Sequence, residues 1–182
     1  MSGRSNVLKK RYAIDILRAN GCPEGLIRHC LNVSRNALRI ASRVDIPVDR
    51  GLLEFGAILH DLGRCKTHGI EHAAVGGEVA REMGLPEEVA LIIERHIGAG
   101  LTASEAKKLG LPERDFLPLT PEETIVSYAD NLTMGSRMGS FEEALERFKK
   151  ILGENHPAVQ RFVYQHEEIM DWMASGQRLS KK

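Results

Sequence analysis

The sequence predicts an all-α fold, a single helical bundle of about eight helices. Apolar residues recur at helical spacing along most of the 182-residue chain, and no alternating apolar–polar run is long enough to require a strand. Three segments match the capping box that begins a helix: TASE at 102–105, TPEE at 120–123 and SFEE at 140–143. Helix after helix, without strands between them, is typical of an all-α domain.

Proline, glycine and capping residues set the helix boundaries in the first half of the chain. Pro23 and Pro86 suit the start of a helix, Asp49 suits an N-cap, and Gly84 suits the residue after a helix end. These signals predict five helices, which cover about 5–19, 23–44, 49–61, 71–84 and 86–97.

The three capping boxes predict the helices of the second half. They begin a short helix, a helix that runs to about Leu132, and another that runs to Leu152. A last helix is expected from Pro157 to about Ala174, followed by a frayed tail over 175–182. No repeat, linker or shift in composition divides the chain, so we expect one domain over 1–182.

Composition argues against several functional classes. Lys plus Arg and Asp plus Glu are equal at 25 each, which argues against bulk nucleic-acid binding through net charge. No apolar run approaches the roughly 20 residues of a membrane span, and the N-terminus lacks a signal-peptide core. Cys22, Cys30 and Cys65 form no CxxC pair and are expected to be reduced, mostly buried thiols. We therefore expect a cytoplasmic protein without a membrane partner.

Six side chains of metal-ligand type fall on apolar faces of five predicted helices. His29, for example, shares a stripe with Leu26 and Val33, and an ionised Asp61 follows a largely apolar run. A buried carboxylate costs several kcal/mol unless a positive group meets it. The set comprises His29, His60, Asp61, His72, His96 and Asp130.

Each member also has an alternative interpretation without a metal. A histidine on an apolar stripe is often a satisfied core residue, as we expect for His166, and Asp130 could cap a neighbouring helix. Six separate explanations are then needed, whereas one bound divalent cation accounts for all six residues. Imidazole plus carboxylate suits Fe, Mn, Co, Ni or Zn and is unlike a thiolate-type structural zinc site.

The order of these residues resembles the H…HD…D signature of the HD-domain metal-dependent phosphohydrolases. HDLGR at 60–64 is similar to the HDIG[KR] form of the motif, and IVSYADNL at 125–132 is similar to the helix with the final Asp. HAAVGGEVA and IIERHIG resemble the segments with further histidines. The resemblance covers roughly 20–137, which we take as the core of the domain, with C-terminal helices over 138–174. It implies an all-α bundle of five or more helices.

The resemblance also implies roles. His29, His60, Asp61 and Asp130 match the ligands of a first metal, and His72 and His96 match the histidines that hold a second. Asp61 would then bridge two divalent transition-metal ions, with Fe, Mn, Co or Ni favoured over Zn or Mg. Asp61 and Arg64 are the candidate catalytic residues, and the candidate phosphate-binding residues are Arg64, Lys66 and Arg137.

Among families with two metals, the chain most resembles the symmetrical dinucleoside tetraphosphate hydrolases. The shared features are the HD pair, His72, His96 followed by Gly98, and Ala129–Asp130 with a later Arg. The chain departs from that family in its HIGAG stretch, in the position of Arg137 and in a longer insert. The implied substrate is a small phosphorylated molecule, a nucleotide or dinucleotide, cleaved at a phosphoester or phosphoanhydride bond.

Two other functions stay open at this point. The same metal site could serve a di-iron oxygenase, or the fold could be a non-catalytic sensor that binds a nucleotide. The complete set of six residues argues against the sensor. A homodimer is compatible with the sequence, which contains no signal for the oligomeric state.

Overall fold

The computed structural model describes the backbone of residues 2–179 and the side chains of residues 9–174. Over that range the chain folds into nine α-helices, one 3₁₀ turn and one small hairpin, which confirms the all-α class. The helices are α1 Ser2–Ala19, α2 Glu24–Ala41, α3 Arg50–Leu59, α4 His72–Glu82, α5 Glu87–Glu94, α6 Ala103–Lys108, α7 Pro121–Leu132, α8 Phe141–Leu152 and α9 Pro157–Leu179. The 3₁₀ turn covers Leu62–Cys65, and the antiparallel hairpin pairs β1 Thr133–Met134 with β2 Arg137–Met138.

Several boundaries and two elements differ from the expectation. α1 begins at Ser2, α5 ends at Glu94 rather than near 97, so that His96 lies just after the helix, and the 3₁₀ turn was not expected. α2 ends at Ala41, three residues before the predicted Val44. α9 continues to Leu179, so the first residues of the expected frayed tail are helical, and 180–182 lie outside the described residues. The hairpin was not expected because two-residue strands have no readable periodicity; Gly135, at φ +60, allows its tight turn.

Two apolar cores meet at α2 and α3. One core joins these helices to α7, α8 and α9 and includes the fully buried Ile125 and Phe162. The other joins them to α1 and α5 and includes the fully buried Leu17 and Ile93. Because α2 and α3 contribute side chains to both cores, neither helix can shift without disturbing both, and the end of α3 is fixed in place.

Two glycines bring the 3₁₀ turn directly against α4. A Cβ on Gly63 would overlap the carbonyl oxygen of His72 and lie 2.7 Å from the backbone nitrogen of Gly76. A Cβ on Gly76 would in turn lie 2.7 Å from Cγ2 of Ile93 and 2.9 Å from the nitrogen of Gly63. The glycine of the HDLG motif therefore permits a backbone-to-backbone contact that sets the position of α4 relative to the end of α3.

Cys22 and Cys65 form a disulfide, with their Cα atoms 4.9 Å apart, so the prediction of three reduced thiols is wrong. The two cysteines are 43 residues apart in the sequence, and no sequence motif predicts that they pair. Cys30 is free and buried, as expected. The bridge joins the turn before α2 to the 3₁₀ turn after Asp61. Thiol usage thus no longer supports the cytoplasmic location, which stays a prediction.

No helix in the described part of the chain combines the length and apolar character that a bilayer span requires.

The contact at Gly63 leads to a stability prediction. Gly63→Ala should lower the free energy of unfolding by about 1–3 kcal/mol, because the added methyl meets backbone rather than a movable side chain. Gly25→Ala is the matched control, since a Cβ at Gly25 of α2 meets only Arg28 Nη2 at 3.8 Å. That control should be neutral or slightly stabilising. Denaturant unfolding of both variants tests this, and equal stabilities would refute the close-contact argument.

The disulfide leads to a second prediction. Protein unfolded in guanidinium without reductant should show one reactive thiol per chain, and three after reduction. Reduction should destabilise the fold by about 4 kcal/mol, because the bridge closes a 43-residue loop. Cys30→Ala should leave no thiol before reduction and two afterwards. Three thiols in unreduced wild-type protein would contradict the pairing.

Candidate metal centre

The structure brings all six candidate ligands together. His29 comes from α2, His60 and Asp61 follow α3, His72 begins α4, His96 follows α5, and Asp130 lies on α7. Their side chains form three overlapping groups in which all potential ligand atoms lie within 4.8 Å of one another. The groups are His29–His60–Asp61, His60–His96–Asp130 and Asp61–His72–His96.

The two carboxylate oxygens of Asp61 face different pairs of histidines. Oδ1 lies 3.2 Å from Nε2 of His72 and 3.5 Å from Nε2 of His96. Oδ2 lies 3.8 Å from Nε2 of His29 and 3.7 Å from Nε2 of His60. Asp130 completes the second side, with its Oδ1 3.0 Å from Nε2 of His29 and 3.5 Å from that of His60. One carboxylate thus stands between two ligand groups, as a bridging ligand would.

Backbone carbonyls orient three of the imidazoles. Nδ1 of His60 lies 2.8 Å from the carbonyl oxygen of Ala57, Nδ1 of His72 lies 2.7 Å from that of Gly69, and Nδ1 of His96 lies 2.6 Å from that of Ile93. A carbonyl can only accept, so Nδ1 carries the proton in each ring and Nε2 offers a lone pair to the centre. Metal-binding histidines are commonly oriented in this way.

The donor set fits a cation. Nε2 of His60 is buried and has no hydrogen-bond partner among the described residues. Nε2 of His72 and Nε2 of His96 lie 3.1 Å apart, although both are acceptors once their Nδ1 atoms donate to backbone. Two facing lone pairs and one orphaned nitrogen are unfavourable by themselves, and a divalent ion would satisfy all three.

The charges of the site are mutually stabilised. Burial acts to raise the pKa of Asp61, but His60 and the bonds to His72 and His96 outweigh it and hold that pKa far below its usual range. Asp130 is only partly buried; burial acts to raise its pKa, but His60 and His29 prevail and lower that pKa strongly. Burial lowers the pKa of His96 and keeps its ring neutral.

His60 behaves differently from His96. Burial acts to lower its pKa, but the charges of Asp61 and Asp130 prevail and raise it well above the usual value. A protonated imidazole cannot be a ligand, so ions and protons compete for His60.

Among the six candidate ligands, His29 and Asp130 form the exposed edge of the site. The side chains of His29 and Asp130 are 31% and 23% exposed, whereas those of His60, Asp61, His72 and His96 are at most 5% exposed. Arg64, 39% exposed, stands beside Asp61. A substrate must therefore approach from the side of α2 and the 3₁₀ turn.

The candidate phosphate-binding residues differ in their surroundings. Nε of Arg64 donates to Oδ1 of Asp61 at 2.7 Å, and no partner of its terminal nitrogens is found among the described residues. Lys66 is exposed just after the 3₁₀ turn. Arg137 donates both terminal nitrogens to Glu143, at 2.8 and 2.9 Å. Arg64 is thus the best placed of the three to meet a phosphate.

Sequence reasoning missed the groups that join α7 to the His96 loop. Ser127 Oγ and Asn131 Nδ2 both donate to the carbonyl oxygen of Gly98, at 2.6 and 2.7 Å. These bonds connect the helix that contains Asp130 to the loop that follows His96. The polar positions flanking Asp130 on α7 were the only available sequence signal.

Sequence reasoning also missed the buried Glu94. Its carboxylate accepts bonds from Arg81 and Arg114, with the shortest at 2.6 and 2.7 Å. Burial acts to raise the pKa of Glu94, but the two guanidinium groups lower it and keep the group ionised. This cluster attaches α4 and the insert before α7 to the end of α5, next to His96.

His166 is a satisfied core histidine, as expected. Its ring stacks on Phe141 with centroids 3.8 Å apart, and its Nδ1 lies 2.5 Å from the hydroxyl of Tyr128. It belongs to none of the potential metal groups found among the described residues.

Comparison with known proteins identifies the family. Residues 26–135, which contain all six candidate ligands, match the family model described as HD domain. The chain belongs to the HD-domain family. This confirms the resemblance to the HD-domain phosphohydrolase superfamily, whereas the dinucleoside tetraphosphate hydrolase-like assignment stays a prediction.

This HD-domain chain has relatives of different lengths. It is 47% identical over 160 residues to an uncharacterized protein of Methanocaldococcus jannaschii, covering 86% of this chain and 94% of that one. It is 40% identical to a tRNA (cytidine(56)-2'-O)-methyltransferase of Picrophilus torridus, covering 85% of this chain and 44% of that one. It is 29% identical to Ribonuclease Y of Petrotoga mobilis, and that match covers 78% of this chain and 24% of the ribonuclease. The chain therefore spans less than half of the methyltransferase and about a quarter of the ribonuclease.

A solved structure shares the fold of this HD-domain chain. The HD domain of the L. monocytogenes phosphodiesterase PgpH, in complex with cyclic-di-AMP, superposes with a TM-score of 0.54. The match covers 93% of this chain and 97% of that one at 15% sequence identity. At this identity the likeness establishes the shared fold alone.

The position of Asp61 leads to a prediction about metal content. Asp61→Ala should abolish metal binding, because Asp61 is the carboxylate that faces both pairs of histidines. His166→Ala is the control, since His166 is also partly buried among apolar groups but lies outside the cluster; it should retain the metal. Elemental analysis after loading with Mn²⁺ tests this. Equal metal loss in the two variants would show that burial, rather than ligation, is responsible.

Metal should also stabilise the fold. An ion that binds the native state alone contributes about 4 kcal/mol at a thousandfold excess over its dissociation constant, or about 8–16 °C in Tm for a chain of this size. A chelator should lower Tm by that order, and Mn, Fe, Co or Ni should restore it. Superimposable melts of chelated and demonstrably metal-loaded protein would contradict a buried metal site.

Proposed function

We propose that the chain is a metal-dependent phosphohydrolase that cleaves a phosphoester or phosphoanhydride bond of a nucleotide or dinucleotide. The observation that carries this proposal is the position of Asp61, whose two oxygens face two different pairs of histidines. Such a carboxylate suits a pair of ions, which is a common arrangement for in-line displacement at phosphorus.

The proposed roles follow from the geometry. His29, His60, Asp61 and Asp130 would hold one divalent ion, and Asp61, His72 and His96 a second. Ions held there would supply a hydroxide nucleophile at neutral pH and would polarise a phosphoryl oxygen. Fe, Mn, Co and Ni, which the resemblance to the HD-domain phosphohydrolases favours over Zn or Mg, all suit this mixed imidazole and carboxylate set.

Arg64 would position the substrate. Its Nε bond to Asp61 fixes the guanidinium at the open side of the centre, so the terminal nitrogens can donate to two oxygens of a phosphate. Lys66 would add positive charge further out. Arg137 would contribute only if a substrate displaced Glu143, which holds it at 2.8 Å.

Names of similar proteins favour phosphodiester cleavage over other uses of the site. Ribonuclease Y and the phosphodiesterase PgpH are both named for that chemistry. The relative that is named as a methyltransferase is a longer protein, and the segment that matches this chain covers 44% of it. Methyl transfer gains nothing from a cluster of buried imidazoles and carboxylates, so we do not extend that activity to this chain.

Hydrolysis of a simple diester tests the proposal. Metal-free protein should be inactive on bis(p-nitrophenyl) phosphate, and reloading with Mn, Fe, Co or Ni should restore turnover. A nucleotide and dinucleotide screen under the same conditions then narrows the substrate. Nucleotide binding without any turnover would indicate a sensor, and oxygen consumption seen with iron alone would indicate an oxygenase; either result would overturn the proposal.

The role of Arg64 gives a sharper test. Arg64→Gln should lower kcat/KM about 10- to 100-fold, the range that a charge-assisted hydrogen bond of about 1.5–3 kcal/mol provides. Metal content should stay unchanged, because all six ligands remain. Lys150→Gln, on the exposed face of α8, is the charge-matched control. Parallel loss of metal and activity would show that Arg64 merely orients Asp61.

A further inference from the structure

The open side of the metal centre lies beside α2. Of the described side chains that line the centre, those of His29, on α2, and Arg64 are the most exposed, at 31% and 39%. Asp61 is only 5% exposed, so a reacting phosphate must enter below the surface. The rest of the substrate must therefore extend from that phosphate over the surface next to His29.

The adjoining face of α2, about 100° around the helix axis from His29, has a row of exposed arginines. Arg28, Arg35 and Arg39 are all exposed, and at 100° per residue their Cα atoms lie within about 40° of one another around the helix axis. The row begins directly before His29 and is about 16 Å long at 1.5 Å per residue. We refer to Arg28, Arg35 and Arg39 as the arginine row.

The guanidinium groups of the arginine row are not held by carboxylates. None of the three donates a hydrogen bond or forms an ion pair within 4.0 Å in the described part of the chain, although Arg28 acts electrostatically on Glu24, one helical turn before it. The one acidic residue of α2, Glu24, is held by Arg18 at 2.9 Å. By contrast, seven other described arginines have carboxylate partners within 3 Å: Arg18, Arg64, Arg81, Arg95, Arg114, Arg137 and Arg161.

The hairpin forms a wall along the row. Asn32, between the first two arginines, donates to the carbonyl oxygen of Gly135 at 2.9 Å, and Asn36 donates to Oγ1 of Thr133 at 2.8 Å. The hairpin follows α7, the helix that contains Asp130. A ligand lying along α2 would therefore be bounded on one side and would reach the metal centre at the His29 end.

We propose that the arginine row binds the backbone of a single-stranded oligonucleotide whose reacting phosphate lies in the metal centre. The row offers three guanidinium groups suited to bidentate contact with phosphate, spaced along an extended ligand. A single strand can bend its backbone toward the recessed Asp61, which a rigid duplex cannot. The net charge of zero describes the whole chain. It argues against nucleic-acid binding through overall charge, but it does not argue against a local basic site such as this row.

This inference rests on the proposed hydrolase function and narrows its substrate class. It predicts that oligonucleotides are better substrates than mononucleotides. The better turnover of oligonucleotides should depend on the arginine row, which lies outside the catalytic machinery.

The test is the double variant Arg35→Gln/Arg39→Gln in full-length, Mn-loaded protein. Its probes are a fluorescein-labelled 12-mer of uridine for binding and cleavage, and bis(p-nitrophenyl) phosphate for the bare metal centre. The plot of log K against log[NaCl] should lose about 1.4 in slope, since each lost single-strand phosphate contact removes about 0.7. kcat/KM on the 12-mer should fall at least tenfold, while turnover of the small diester stays within twofold of wild type.

Controls separate charge, fold and proposed function. Arg35→Lys/Arg39→Lys should recover most of the salt dependence, and Lys150→Gln should resemble wild type. If metal-loaded wild type fails to hydrolyse the small diester, the proposed function fails, and 12-mer binding still decides the role of the row. Binding of the 12-mer that is no tighter than that of UMP, or that is unaffected by the double variant, would overturn the inference. So would row-dependent binding to phosphatidylglycerol vesicles in place of the 12-mer.

Discussion

The fold is organised around a carboxylate that is buried among four imidazoles. Asp61 lies between two pairs of histidines, and its oxygens divide between them. Such a group is expensive to bury alone, so the surrounding charges must be held at fixed distances. Five helices meet at this point, and each places one or two candidate ligands there.

The distances between the candidate ligand atoms are fixed by residues that are not themselves candidate ligands. Shared packing of α2 and α3 in both cores sets the position of the His60–Asp61 pair. Gly63 and Gly76 let the 3₁₀ turn touch α4 and so place His72. The carbonyl of Gly98, bonded to Ser127 and Asn131, connects the His96 loop to α7. The geometry of the centre thus depends on contacts made by residues that are not themselves candidate ligands.

Sequence was sufficient for most of the helices and for the convergence of the six candidate ligands, because both rest on local periodicity. An inward-facing histidine or aspartate can be recognised from its apolar neighbours, and six of them suggest one shared partner. Periodicity cannot reveal pairings between distant segments, which explains why the Cys22–Cys65 bridge and the Arg81–Glu94–Arg114 cluster were missed. Nor can periodicity show whether a basic side chain is already paired with a carboxylate. Arg137 was expected to meet phosphate, yet its guanidinium is held by Glu143.

The central claim is that Asp61 bridges two divalent ions, and anomalous X-ray scattering from crystals of the Mn-loaded protein tests it most directly. The account predicts two anomalous peaks about 3.5–4 Å apart on opposite sides of the Asp61 carboxylate. One peak should be bounded by His29, His60 and Asp130, and the other by His72 and His96. A single peak, or none, within the cluster would contradict the bridging role on which the proposed function rests.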